Sequence, residues 1–219
     1  MAWEAEKEEI VQAARHLLSK GLVAATSGNV SMYLEDADGS KLLAITPTSM
    51  RYEEMKPEDV VVIDFEGDVV EGYANPSSES LIHIAVYKAR PDIKCVIHTH
   101  SVYASVLAVC GVELPPILDE LVTYLGGAVQ VAEYGFPSTE DLGNKACAAL
   151  GDRNAVFLRN HGVIAAGKTM GDALRACELV ERASQIFIYA SSMGKASVLP
   201  PEVVEAERSI FKMMQGTDS

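Results

Sequence analysis

Two apolar runs, Ala155 to Leu158 and Val163 to Ala166, are separated only by the turn around Asn160-His161-Gly162. No other feature of the sequence restricts the fold as much. Parallel neighbours in a sheet need a crossover of about a dozen residues or more, so two strands joined this tightly must pair antiparallel. A second case follows the same logic: Val60 to Asp64 and Asp68 to Glu71 flank a turn at Glu66-Gly67 and read as a hairpin. A purely parallel sheet is therefore excluded, although helical and extended patterns alternate along the chain.

The helical patterns are clear at both ends. Ile10, Val11, Ala14, Leu17 and Leu18 repeat at helical spacing, predicting a helix from about Trp3 to Lys20 that stops at Gly21. Strands are predicted at Val30 to Leu34 and at Leu42 to Thr46. Leu81, Ile82, Ala85 and Val86 trace one face of a helix for which Ser77-Ser78 offer the N-cap and Pro91 the end, placing Glu79 in its first turn. Cys95-Val96-Ile97 reads as a buried strand delivering His98-Thr99-His100, followed by a helix from Val102 to Val109. Between Leu114 and Phe136 the pattern predicts turns and a strand around Ala128 to Ala132. Ser138-Thr139 caps a helix to Leu150, Thr169 with Asp172 opens a long helix to about Met193, and Pro200-Pro201 opens a last one. Disorder is expected only from Gln215 to Ser219.

No Pro/Gly/Ser-rich or charged linker divides the 219 residues, which predicts one domain spanning 1–219. No run approaches the roughly 20 apolar residues of a membrane span, and the acidic start lacks a signal peptide's basic region, so the chain is expected in the cytoplasm, off the membrane. The four cysteines, Cys95, Cys110, Cys147 and Cys177, form no CxxC pair and read as buried, reduced thiols. With 31 acidic against 18 basic residues the net charge is −13, which repels nucleic-acid phosphates. One phosphate group can still be bound by backbone N–H groups, hydroxyls and a metal ion.

The histidines carry the chemistry. Residues i and i+2 of a strand face the same side, so His98 and His100 can present imidazoles to one point. Such a pair alone is as compatible with two satisfied polar side chains as with a metal site. His161, where a buried strand emerges into a turn, can supply a third ligand. Three imidazoles with a carboxylate or water suit Zn²⁺ and are acceptable to Mn²⁺, Fe²⁺ or Co²⁺. His16, alone on an amphipathic helix, reads as structural; His83, four residues after Glu79, reads as support for the site rather than a ligand. Three hydroxyl-rich turns, Ser27-Gly28-Asn29, Thr48-Ser49 and Ser77-Ser78, suit phosphate; each taken singly is as well explained as an ordinary turn or helix cap.

The ordered series Ser27-Gly28-Asn29, Thr46-Pro47-Thr48-Ser49, Ser77-Ser78-Glu79, His98-Thr99-His100 and Asn160-His161-Gly162 resembles the class II aldolase/adducin family, especially its L-fuculose-1-phosphate aldolase type, over about residues 5 to 195. The resemblance implies an α/β, three-layer single domain with a mostly antiparallel central sheet flanked by helices. It implies a homotetramer with active sites at subunit interfaces, and one divalent metal ion per subunit, zinc first. It puts the metal on Glu79, His98, His100 and His161, proton transfer on Glu79, and the substrate phosphate on Gly28, Asn29, Thr48, Ser49, Ser77 and Ser78. The implied reaction is reversible cleavage of a ketose 1-phosphate, a small phosphorylated sugar, to dihydroxyacetone phosphate and a small aldehyde by way of an enediolate.

Two positions depart from the pattern. Ser49 stands where the fuculose enzymes often have glycine, and Asp119-Glu120-Leu121 stands where they place a catalytic tyrosine that reaches a neighbour's site. Either the aldehyde half of the substrate differs from that of fuculose phosphate, or Glu120 takes over part of the proton handling; Tyr124 lies four residues off. A Schiff-base route is not expected, because Lys41, Lys94 and Lys168 flank apolar runs as solvent-facing strand ends do. The competing readings are a sugar-phosphate 4-epimerase, a decarboxylase or a dehydratase of the same family. From other classes come a metal-dependent hydrolase, which has no need of the phosphate turns, and an adducin-like interaction module, which has no need of the ligands.

Overall fold

The computed structural model describes residues 3–216. Eight strands form one sheet: β1 (Asn29–Glu35), β2 (Lys41–Ile45), β3 (Val61–Asp64), β4 (Val69–Glu71), β5 (Cys95–Thr99), β6 (Gln130–Ala132), β7 (Ala155–Leu158) and β8 (Gly162–Gly167). Their order is β4-β3-β2-β1-β5-β8-β7-β6. Every pair is antiparallel except β6 with β7. Those two are joined through a helix, the connection a parallel pair requires.

The helices are α1 (Glu4–Ser19), α2 (Ser80–Ala89), α3 (Val102–Cys110), α4 (Asp119–Leu125), α5 (Glu140–Leu150), α6 (Met170–Ser192) and α7 (Pro201–Gln215). Period-2 alternation divides the strands between two helical layers. Cys95, Ile97, Phe157, Val163 and Ala165 pack with the residues of α1, α3 and α6, whereas Val96, Val156, Leu158, Ile164 and Ala166 pack with those of α2 and α5. Apart from the edge strand β4, where Val69 and Val70 are exposed, the sheet is buried on both faces, the physical content of a three-layer α/β fold.

The predicted capping holds where the side chains allow it. Thr139 and Thr169 each accept a bond from the backbone N–H three residues on, at Leu142 and Asp172. Elsewhere the sequence reading needs correction. The prolines and glycines between Leu114 and Phe136 hid α4, a seven-residue helix that buries Leu121, Val122 and Leu125; the strand expected from Ala128 starts at Gln130. Glu79 lies at the N-cap of α2 rather than in its first turn, because its φ of −102° and ψ of 16° are not helical. The Ser77 hydroxyl accepts the Glu79 N–H at 3.3 Å. Of the cysteines, Cys95 and Cys177 are buried, Cys147 is half-buried and Cys110 is exposed at the end of α3. Gln215 closes α7 and Gly216 caps it, so the expected disorder does not begin there; positions 217–219 lie outside the described residues. No helix among the described residues is long and apolar enough to cross a membrane.

Candidate metal centre

The antiparallel register collects the chemistry at one edge of the sheet. Asn29 at the start of β1 pairs with His98 near the end of β5, and Thr99 pairs with Val163 at the start of β8. His98 shares parity with Val96, so it faces the α2 layer, where Glu79 stands at the helix start. The tight turn between β7 and β8, with Asn160 at φ 57°, swings His161 back toward the same point. Gly162 makes room for this: a Cβ there would lie 2.3 Å from the Thr99 carbonyl oxygen and 3.1 Å from the His98 ring.

Glu79, His98, His100 and His161 each offer a donor atom, and these atoms lie within 4.8 Å of one another. The imidazole centroids of His98, His100 and His161 are 4.6 to 5.0 Å apart. His98 Nδ1 donates to the Val163 carbonyl at 2.9 Å, so in the neutral ring Nε2 carries a bare lone pair. That lone pair meets His100 Nε2 at 2.7 Å and Glu79 Oε2 at 3.1 Å. Glu79 Oε1 lies 3.3 Å from His161 Nε2, and both Oε1 and His161 Nδ1 are buried without a hydrogen-bond partner. Lone pairs facing one another repel; a divalent cation among them converts the repulsion to coordination. The residues therefore fit a divalent ion.

The electrostatics agree. Burial raises the Glu79 carboxyl, but the hydrogen bond and positive charge that His98 supplies when its ring is protonated, the charge of His161 and the Asn29 amide outweigh it and hold the group at about 2. With the ring neutral, a divalent cation supplies that positive charge instead. Burial first, and then the charges of His98 and His161, lowers His100 to about 4; burial and His98 lower His161 as well. Imidazoles that resist protonation are available as ligands.

The hydroxyl-rich turns converge on this edge. The Ser77 N–H donates to the Thr46 carbonyl at 3.2 Å and the Thr48 N–H to the Asn75 carbonyl at 3.0 Å, joining two of them. Asn29 Nδ2 donates to Glu79 Oε2 at 3.4 Å, tying the third to the acid. Thr48, Ser49 and Ser78 are exposed, whereas Asn29 and Ser77 are nearly buried. Gly28 has a structural duty too: at φ +80°, a Cβ would lie 2.7 Å from the His98 carbonyl oxygen.

Other candidates lie apart. Glu120 is exposed on α4 and accepts from Arg182 of α6 at 2.7 Å; Tyr124 carries the Arg175 guanidinium 4.9 Å over its ring. Neither belongs to the donor cluster of this chain. His16 pairs with Glu178 at 2.5 Å on the surface. A cleft of about 670 Å³ between α2 and α5, lined by Phe65, Leu81, Lys88 and Cys147 among others, includes none of the four donors. His83 is fully buried behind Asn29, in hydrogen-bond contact with it and with Ser31, as a supporting group would be. The sequence reading passed over Ser31 and Tyr87, although Ser31 stands two residues from Asn29 on a strand and Tyr87 four from His83 on a helix.

The pattern of the class II aldolase and adducin N-terminal domain matches residues 8–188. The chain belongs to that family. It is 38% identical over 205 residues to a 5-deoxy-D-ribulose 1-phosphate aldolase of Bacillus thuringiensis serovar kurstaki, covering 94% of each chain. It is 31% identical over 205 residues to an L-fuculose phosphate aldolase of Escherichia coli K12, covering 93% of each. A solved L-fuculose 1-phosphate aldolase superposes with a TM-score of 0.90 at 37% identity, over 97% of this chain and 98% of the other. With the four donors in place, this member is an enzyme of the class II, metal-dependent sugar-phosphate aldolase type, a carbon–carbon lyase.

Proposed function

We propose that the chain cleaves a terminally deoxygenated ketose 1-phosphate reversibly to dihydroxyacetone phosphate and a short aldehyde. One observation carries the reading: the Glu79 carboxylate meets the His98 and His161 imidazoles, with His100 in the same donor cluster, on one side and the Asn29 amide on the other, beside the Ser77-Ser78 turn. Chemistry at a metal and recognition of an anion thus share one acid.

His98, His100 and His161 hold the ion, zinc first for a site of three imidazoles and a carboxylate. Bound there, it supplies Lewis acidity toward the substrate's ketone and neighbouring hydroxyl. Gly28, Asn29, Thr48, Ser49, Ser77 and Ser78 anchor the phosphate through N–H groups and hydroxyls, fixing the sugar's carbons relative to Glu79. In cleavage Glu79 first takes a proton from solvent. The C4 hydroxyl then gives its proton to Glu120 of a neighbouring subunit, the C3–C4 bond breaks, C4 leaves as the aldehyde, and the electron pair left on C3 takes the proton from Glu79, which returns to its ionised state. In condensation Glu79, ionised at rest, removes that C3 proton. Glu120 of a neighbouring subunit serves the proton at the aldehyde half, within a homotetramer working in the cytoplasm.

Glu120 in place of the tyrosine of the fuculose enzymes, together with 38% identity to the 5-deoxyribulose phosphate enzyme, favours a five-carbon substrate that releases a two-carbon aldehyde. A six-carbon 6-deoxyketose 1-phosphate is the second reading, favoured by the superposition on the fuculose enzyme. Release of dihydroxyacetone phosphate from a panel of five- and six-carbon ketose 1-phosphates is expected to be fastest with the 5-deoxypentulose. Release from none of them would refute the aldolase reading.

Inorganic phosphate is expected to compete with substrate, and alanine at Ser77 and Asn29 to cost about 1 to 3 kcal/mol of substrate binding through lost charge-assisted hydrogen bonds. Steady-state kinetics with phosphate as inhibitor measures both. Equal turnover of phosphorylated and unphosphorylated sugars would count against the assignment.

A further inference from the structure

Behind the metal centre a chain of polar side chains runs through the core between α2 and β1. Tyr87 Oη lies 2.8 Å from Ser31 Oγ, and Ser31 Oγ lies 2.7 Å from His83 Nδ1. His83 Nε2 meets Asn29 Oδ1, and Asn29 Nδ2 reaches Glu79 Oε2 at 3.4 Å. Ser31 and His83 are fully buried, and Tyr87 and Asn29 are only 3% and 4% exposed. Spacing builds the chain: from Glu79 at the N-cap, His83 and Tyr87 follow at intervals of four residues down one face of α2, and Asn29 and Ser31 share one side of β1.

We propose that His83 is a positioning residue for the reaction, its Nε2–H locking the Asn29 side-chain amide so that the amide N–H faces Glu79 and the substrate phosphate. The inference rests on the function proposed above. An ionised carboxylate only accepts hydrogen bonds, so Asn29 must turn its NH₂ toward Glu79 and its carbonyl oxygen toward His83. That oxygen also only accepts, so His83 must carry its proton on Nε2. Its Nδ1 is then an acceptor, the Ser31 hydroxyl must donate to it, and Tyr87 must donate to Ser31. Each donor is fixed in turn from the acid inward.

The imidazole is neutral in this arrangement, in keeping with a burial that, with the charge of His98, lowers it to about 3. A merely space-filling residue would not need this direction of hydrogen bonding. Asn29 has few alternatives, because a flipped amide would set its oxygen against the Glu79 carboxylate. Without His83 the flip would meet no opposition from the core side, and the phosphate site would lose a preset donor.

The test replaces His83 by glutamine, whose amide N–H reaches the Nε2 position, by asparagine, which reaches only the Nδ1 position, and by phenylalanine, which offers neither. Dissociation constants for inorganic phosphate are measured on the metal-loaded protein, with and without Asn29→Ala. His83→Phe and His83→Asn are expected to weaken phosphate binding about tenfold, one hydrogen bond's worth, with metal content unchanged and His83→Gln close to wild type. In the Asn29→Ala background none of the three should have a further effect, since coupled residues are not additive. Additive losses, or a glutamine variant no better than asparagine, would overturn the proposal. Should phenylalanine prevent folding, the glutamine–asparagine contrast decides. Nitrogen NMR of the wild-type ring is expected to show the proton on Nε2; a proton on Nδ1 would overturn the proposal irrespective of any ligand. A wild-type protein that binds no phosphate would refute the phosphate assignment instead, and the ring tautomer, with a single Asn29 amide conformer that the asparagine variant loses, would still decide the role of His83.

Discussion

Replacing His98 and His161 together by alanine is expected to abolish stoichiometric binding of a divalent ion, and with it turnover. Elemental analysis should find about one ion per chain in the wild type and almost none in the double variant, because two of the four donors, one from each strand end, are removed. The effect should reach stability as well. At a metal concentration a hundred times its dissociation constant, binding to the native state alone stabilises it by about 2.7 kcal/mol. Thermal melts with and without added ion should therefore separate for the wild type and coincide for the variant. The cause is visible in the geometry: a bare His98 Nε2, a second imidazole nitrogen at 2.7 Å and a carboxylate oxygen at 3.1 Å repel unless a cation joins them. Wild-type-like metal uptake by the double variant would sink the whole metal reading.

Glu79→Gln is expected to keep most of the metal and to lose roughly 10² to 10⁴ in rate, the usual worth of a positioned acid or base. Glutamine preserves size and one coordinating oxygen but takes up no proton. Exchange of the C3 hydrogen of dihydroxyacetone phosphate with solvent deuterium isolates this step, since it needs no aldehyde, and should fall by a similar factor. Glu120→Gln should spare the exchange while slowing carbon–carbon cleavage, because Glu120 lies outside the donor cluster of its own chain and is assigned to a neighbour's aldehyde half. Should Glu79→Gln exchange deuterium at the wild-type rate, Glu79 would be a ligand only, and Glu120 and Tyr124 would be the next bases to test.

Much of this protein was written locally. The tight spacing between Leu158 and Val163 dictated an antiparallel pair, and β7 and β8 form one. The period-2 placement of His98 and His100 put two imidazoles on one side of a strand, where they stand. Thr139 and Thr169 announced helix starts through a bond that spans only three residues. Such signals are readable because both partners lie within one turn or one strand.

What remained hidden involves partners far apart in the chain. A seven-residue helix such as α4 is marginal on its own; α6 and α7 packed against it make it a helix, and the flanking Pro115-Pro116 and Gly126-Gly127 obscured its pattern. The pairing of β6 with β7 depends on the path of α5. Sequence spacing told which way Glu79, Asn29 and His83 face along their own elements. The crossing of α2 over the start of β1 decided that they meet, and so decided which imidazole nitrogen carries the proton. Periodicity fixes the face on which a side chain lies because it is a property of one element, whereas a hydrogen-bond partner is a property of two elements and exists only once the sheet has brought them together.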